Sequence, residues 1–262
     1  MKRSPLCFLV LVFALSVPFY VLGAFSDRLS KALGVNLPVS ALGVLCPLVS
    51  ALVLVYREER REGVKRLLRR ILDSDDREAV RPRKWYLVAL LLMPGILLLS
   101  YGFMRLMAVP LPEVHFRLLS LPLLFGAFLL GAVGEEGGWS GYLTDALQAR
   151  WSALATGIGL GVIGAIWHVL PLIQTHHSAT WIAWQCFTIV ATRVLIVWVY
   201  NNAARSTLCA VIVHAMYNLS VFVFPNDGSH YDPAIVGSIM AVGVALVTRW
   251  WGAQTLAAFP DP

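Results

Sequence analysis

The sequence predicts an all-α bundle of about eight transmembrane helices with both termini in the cytoplasm. Three observations carry that reading. Of the 262 residues, 58% are hydrophobic and only 14% charged, against roughly a quarter charged in an average soluble domain, and the mean hydropathy is +0.71. The apolar residues gather into eight runs of near-spanning length with short connections. The runs are continuous, whereas the strands of a membrane barrel alternate apolar and polar residues. A soluble globule could not cover itself with so few charges. The apolar content excludes a disordered chain, and four cysteines are too few for a disulfide scaffold.

The first run, Leu6–Gly23, reads as a retained helix. A cleaved signal peptide is the alternative, because Lys2 and Arg3 precede the run and Gly23-Ala24 closes it. The second run is Val39–Val55. Between Arg57 and Lys84 lies the one long polar insertion, with eleven basic and seven acidic residues. Its centre, Val64 to Leu72, spaces apolar residues as a helix does. It reads either as a helix lying on anionic headgroups or as a solvated cytoplasmic helix whose charge fixes topology. The remaining runs are Trp85–Leu106, Leu118–Leu143, Ser152–Ile173, Trp181–Tyr200, Thr207–Phe224 and Ala234–Val247. At about 20 residues per crossing, eight helices take about 160 residues and leave room for a single integral domain over 1–262.

Orientation follows from the basic residues. With a cytoplasmic N-terminus, sixteen of the 21 Lys and Arg fall inside, four (Arg28, Lys31, Arg105, Arg117) fall outside, and Arg193 stands within a run. That bias is the positive-inside pattern. The positive charge serves the membrane face, so the expected partner is the lipid bilayer, not nucleic acid. Cys7, Cys46, Cys186 and Cys209 lie in or at apolar runs without a CxxC pairing and read as buried structural residues.

Ionisable residues inside spanning helices are costly and mark function. Here they are Glu135 and Glu136 in the fourth run, His168 in the fifth, Arg193 in the sixth and His214 in the seventh, with Asn218 one turn beyond His214. His214 lies about nine residues into its helix, or roughly 13 Å at 1.5 Å per residue, and Arg193 lies at a similar depth. Glu135 and His168 flank the turn near Arg150-Trp151 symmetrically, so they share one height. They match His214 if the hairpin Thr144–Leu154 protrudes into the cytoplasm. A single polar cluster in the inner half of the membrane is therefore permitted. A carboxylate beside a histidine can hold and deprotonate water, and a second histidine with an asparagine can stabilise an oxyanion. The same Glu and His residues could instead ligate zinc. HExxH and GxSxG are both absent. Tyr142, Tyr217 and Trp139 read as packing or interfacial residues, and His176, His177 and His230 as solvated; His115 supports no assignment.

The pattern resembles the CPBP (Abi) family of intramembrane proteases, which includes the type II CAAX prenyl endopeptidases. Three motifs carry the likeness: Glu135-Glu136-Gly137-Gly138-Trp139-Ser140 against EExxxR, Trp167-His168-Val169-Leu170-Pro171 against the histidine motif, and His214-Ala215-Met216-Tyr217-Asn218 against HxxxN. They span a core of about 118–224, with the basic segment 57–84 outside it. The resemblance implies hydrolysis of a peptide bond at the membrane face. Glu135 and His168 would activate water, Glu136 would support them, and His214 with Asn218 would hold the oxyanion. This scheme requires no cofactor. A divalent metal such as zinc on Glu135, His168 and His214 is the alternative. Ser140 stands where the motif has arginine. Arg193 either replaces that cation or reaches the interface by snorkelling. The competing expectations are a non-catalytic immunity or scaffold protein, which rests on Ser140, and a small transporter using the glutamate pair. The substrate would be a membrane-associated segment, prenylated CAAX or bacteriocin-like, and the location a bacterial cell membrane.

Overall fold

The computed structural model describes residues 4–25, 39–74, 82–112, 120–175, 177–225 and 227–258, and every regular element among them is helical. In order these are α1 (Pro5–Ala24), a 3-10 turn (Val39–Leu45) that runs into α2 (Cys46–Ile71), α3 (Lys84–Leu106), α4 (Leu121–Gly138), a π-helical turn (Trp139–Thr144), the short α5 (Asp145–Gln148), α6 (Ala153–Gln174), α7 (Ala179–Asn202), α8 (Thr207–Phe222) and α9 (Pro233–Trp251). Each of the eight apolar runs is helical in its described part. Six segments among the described residues are long and apolar enough to cross a bilayer: α1, α3, the continuous Leu121–Gln148, α6, α7 and α9. The chain is a multi-pass integral membrane protein. His115, His176, Arg28, Lys31 and Arg117 lie outside the described residues.

Two of the eight runs differ from simple spans. α8 has only 16 residues. The second run does not end at Val55 but continues through Tyr56 and Arg57 as α2, which breaks at Arg60 (φ 57°, ψ −149°). Leu48 and Ile71 then flank the same residue: a Cβ on Gly137 would lie 2.7 Å from Leu48 Cδ1 and 3.1 Å from Ile71 Cδ1. A straight helix would hold those two residues about 35 Å apart, so the second half of α2 folds back along the first. The basic segment therefore neither floats free nor simply lies on headgroups over residues 57–74. Gly63, Leu67, Arg70, Ile71 and Asp73 are buried against the bundle, while Arg61, Lys65, Arg66 and Arg69 stay exposed. Polar contacts pin it in place: Arg70 donates to Asp145 Oδ2 at 2.5 Å and to the Tyr200 hydroxyl, and Asp73 accepts from Tyr86 (2.6 Å) and from Ser206.

Packing inside lipid cannot rely on water exclusion between helices, so small residues and interhelical hydrogen bonds set the contacts. The outer surface is apolar, with Leu98, Leu123 and Leu130 each about two-thirds exposed or more. Cys7 also stands on this outer face rather than in the interior. α1 is locked inward by Phe8 and Val12, and by Ser16 Oγ, which accepts from Trp167 Nε1 at 2.8 Å. α6 and α7 come together at Gly161, where a Cβ would sit 2.7 Å from the Val190 Cα. That approach fixes α7, and with it Arg193, beside the end of α4.

Candidate active site

The fourth helix ends in Gly134-Glu135-Glu136-Gly137-Gly138 and passes directly into the π-helical turn. The glycines let it press on the start of α2, since a Cβ on Gly138 would lie 2.5 Å from the Pro47 carbonyl oxygen. Single π turns inside α-helices recur at functional sites, because the wider ring displaces side chains from their helical register. Here the turn carries Trp139, Ser140 and Tyr142 inward, all buried. Trp139 packs edge-on against Phe8 and Trp167, and Tyr142 stacks on Phe8. Both aromatics are packing residues, as the sequence suggests.

Glu136 is fully buried and accepts four hydrogen bonds. Arg193 grips it bidentately, Nη1 to Oε2 at 2.7 Å and Nη2 to Oε1 at 2.8 Å. Ser140 Oγ donates to the same Oε2, and His214 Nδ1 lies 2.9 Å from Oε1. A carboxylate accepts only, so Nδ1 of His214 carries the hydrogen and Nε2 points away from Glu136. That Nε2 lies 4.0 Å from Glu135 Oε1. Glu135, 5% exposed, is left with acceptor capacity. The two carboxylates thus stand beside one permanent cation, Arg193, and one chargeable group, His214. Within a poorly screened interior such neighbours matter more than at a surface.

The structure joins Glu135, Glu136, Arg193 and His214 from α4, α7 and α8 into one cluster. His168 and Asn218 have no hydrogen bond or ion pair to it among the described residues. Both are partly exposed, and Asn218 follows His214 by one turn of α8. His168 Nδ1 contacts the Gly164 carbonyl at 2.8 Å. A carbonyl cannot donate, so Nδ1 bears the proton and Nε2 is a free acceptor, the tautomer of a general base. The Tyr20 hydroxyl donates to the Trp167 carbonyl at 2.7 Å and so ties α1 to the turn of α6 that carries His168. Ser140 as a hydrogen-bond donor to Glu136 escapes sequence reading, where it registers only as a missing arginine. Arg193 does not snorkel to the interface; it is the buried cation of Glu136. His177 is exposed and stacks on Trp181.

Glu136, with both oxygens taken by four donors, has no lone pair left for a metal. No group of three or more His, Cys, Asp or Glu side chains among the described residues converges in the manner of a metal site. His214 turns its Nδ1 to Glu136, and Arg193 occupies both oxygens of that carboxylate.

Two comparisons with known proteins bear on the site. The model of the family "Type II CAAX prenyl endopeptidase Rce1-like" matches residues 117–220, which contain all three motifs. Over 238 residues the chain is 26% identical to "CAAX prenyl protease 2" of Methanococcus maripaludis, covering 84% of each protein. Both agree with the likeness carried by the motifs.

Proposed function

Given this likeness to Rce1-like type II CAAX prenyl endopeptidases, we propose that the chain is an intramembrane endopeptidase that hydrolyses a peptide bond of a membrane-anchored substrate with a Glu/His-activated water. The observation that carries the reading is the division of labour within the glutamate pair. Glu136 is saturated by Arg193, Ser140 and His214, while Glu135 and the Nε2 of His168 keep acceptor capacity.

In this mechanism the water donates its hydrogens towards Glu135 and His168 Nε2 and gives up a proton as its oxygen attacks the scissile carbonyl carbon. The oxyanion then accepts from His214 Nε2–H and from the Asn218 amide. His214 can donate from Nε2 only when protonated on both nitrogens, and the flanking carboxylates favour that state. When the tetrahedral intermediate collapses, the C–N bond breaks and the proton taken from water passes to the leaving amine. No metal takes part. The substrate segment is extended and reaches the site from the inner leaflet. The name of the M. maripaludis relative makes a prenylated C-terminal CAAX segment the first candidate, ahead of an unprenylated, bacteriocin-like peptide.

The test is cleavage of a library of membrane-anchored peptides, prenylated and unprenylated, by purified protein. Wild type, Glu135→Ala and His168→Ala are compared with and without a chelator. Cleavage by wild type alone, unaffected by chelation, is the expected result. Equal processing by all three proteins contradicts the enzyme reading, and loss on chelation contradicts the metal-free mechanism.

A further inference from the structure

Two donors from different parts of the chain converge on one oxygen of Glu136. Ser140 Oγ reaches Oε2 from four residues along the same stretch of chain, and Arg193 Nη1 reaches it from α7 at 2.7 Å. Positions 140 and 193 are therefore geometric alternatives for holding this carboxylate. Ser140 is 2% exposed and Glu136 fully buried, so bulk solvent does not solvate this carboxylate in place of its donors. Without a cation, the cluster of Glu135, Glu136 and protonated His214 would carry a net negative charge, and a buried carboxylate would stand unpaired.

We infer that Arg193 is a positioning residue that supplies, from α7, the cation that the EExxxR pattern places at residue 140, and that Ser140 is small because Arg193 fills the space its side chain would need. Arg193 acts through Glu136: by donating one hydrogen bond to each oxygen it fixes the carboxylate plane. It leaves Oε1 facing His214 Nδ1 at 2.9 Å and so sets the direction of Nε2. A lysine offers a single point of charge and cannot reproduce the two parallel bonds. The arrangement also explains why a shortened motif residue coexists with an otherwise complete site. The inference rests on the peptidase reading for its kinetic arm and on geometry alone for its stability arm.

The experiment is a transplant: Arg193→Leu, Arg193→Lys, Ser140→Arg and the double change Ser140→Arg/Arg193→Leu, each purified and measured for peptide cleavage and thermal midpoint. Arg193→Leu is expected to lower kcat about 100-fold or more, the scale of a lost electrostatic element, with KM little changed. Arg193→Lys should fall between it and wild type. Ser140→Arg alone should lower the midpoint, since two guanidinium groups then compete for one oxygen. The double variant is expected to recover midpoint and kcat to within about tenfold of wild type. Glu136→Gln/Arg193→Leu removes both charges and should recover the midpoint but not kcat, which separates positioning from stability. Wild-type kcat in Arg193→Leu overturns the inference, and so does a double variant that folds as wild type yet remains as slow as Arg193→Leu. Should wild type cleave no library member, the peptidase reading fails separately. The midpoints then decide the matter: recovery by Ser140→Arg upholds the relocated cation, and no recovery overturns it.

Discussion

Among the described residues, the arginine–carboxylate pairs Arg70–Asp145 and Arg193–Glu136 serve opposite ends. Arg70–Asp145 ties the folded-back half of α2 to the end of the α4–α5 segment. Its circle is closed: Arg70 donates to Asp145 and to Tyr200, and the Tyr200 hydroxyl donates to Asp145 Oδ1 at 2.8 Å. In the Arg193–Glu136 pair the carboxylate is saturated, and next to it stand Glu135 and the His214 Nε2. A buried ion pair alone is weak grounds for function, since it costs desolvation wherever it occurs. The difference lies in the neighbours. One pair ends a network, and the other holds an unfinished network in place.

Several substitutions sharpen that contrast. The largest effect is expected at His214→Phe, which removes the Nε2 donor and leaves the Glu136–Arg193 grip intact. kcat should fall roughly 100- to 1000-fold, the scale of one lost oxyanion donor, with a smaller change in thermal midpoint. A kcat within threefold of wild type would move the oxyanion site elsewhere. Arg70→Leu should do the reverse. Breaking one side of a buried pair costs roughly 3 kcal/mol, read as a lowered midpoint, while the cleavage rate per folded molecule stays within about threefold. Gly161→Leu should come next, at about 1–3 kcal/mol for overpacking, because its side chain would meet the Val190 backbone. Unlike Arg70→Leu, it should also slow cleavage, since it displaces the helix that carries Arg193. The smallest effect belongs to Trp167→Phe, which loses the 2.8 Å bond to Ser16 at about 1 kcal/mol. A larger loss of rate than of stability there would show that α1 helps to place His168.

The sequence reading reached far where physics is one-dimensional. Hydropathy marks each helix because the bilayer demands it, and counting residues from a turn gives depth because helices rise regularly. Counting gives Arg193 and His214 similar heights, and the two meet on Glu136; Glu135 and His168 share a height by the same count, yet no hydrogen bond or ion pair joins them among the described residues. Depth does not give azimuth, however. Whether Arg193 faced Glu136 or the lipid headgroups was open until α6 and α7 were seen to close at Gly161. Periodicity also could not reveal the reversal at Arg60, a single backbone setting inside an otherwise helical pattern. The exposure of Cys7 was equally hidden, because a lipid-facing surface and a protein core ask for the same apolar residues.

The most direct test of the central claim is the single-turnover cleavage rate of Glu135→Gln against wild type, on one membrane-anchored peptide that wild type processes. The substitution keeps shape and hydrogen bonding while removing the base. The account predicts an unchanged thermal midpoint with a rate lowered by roughly 100-fold or more. A Glu135→Gln protein that cleaves at the wild-type rate would contradict it.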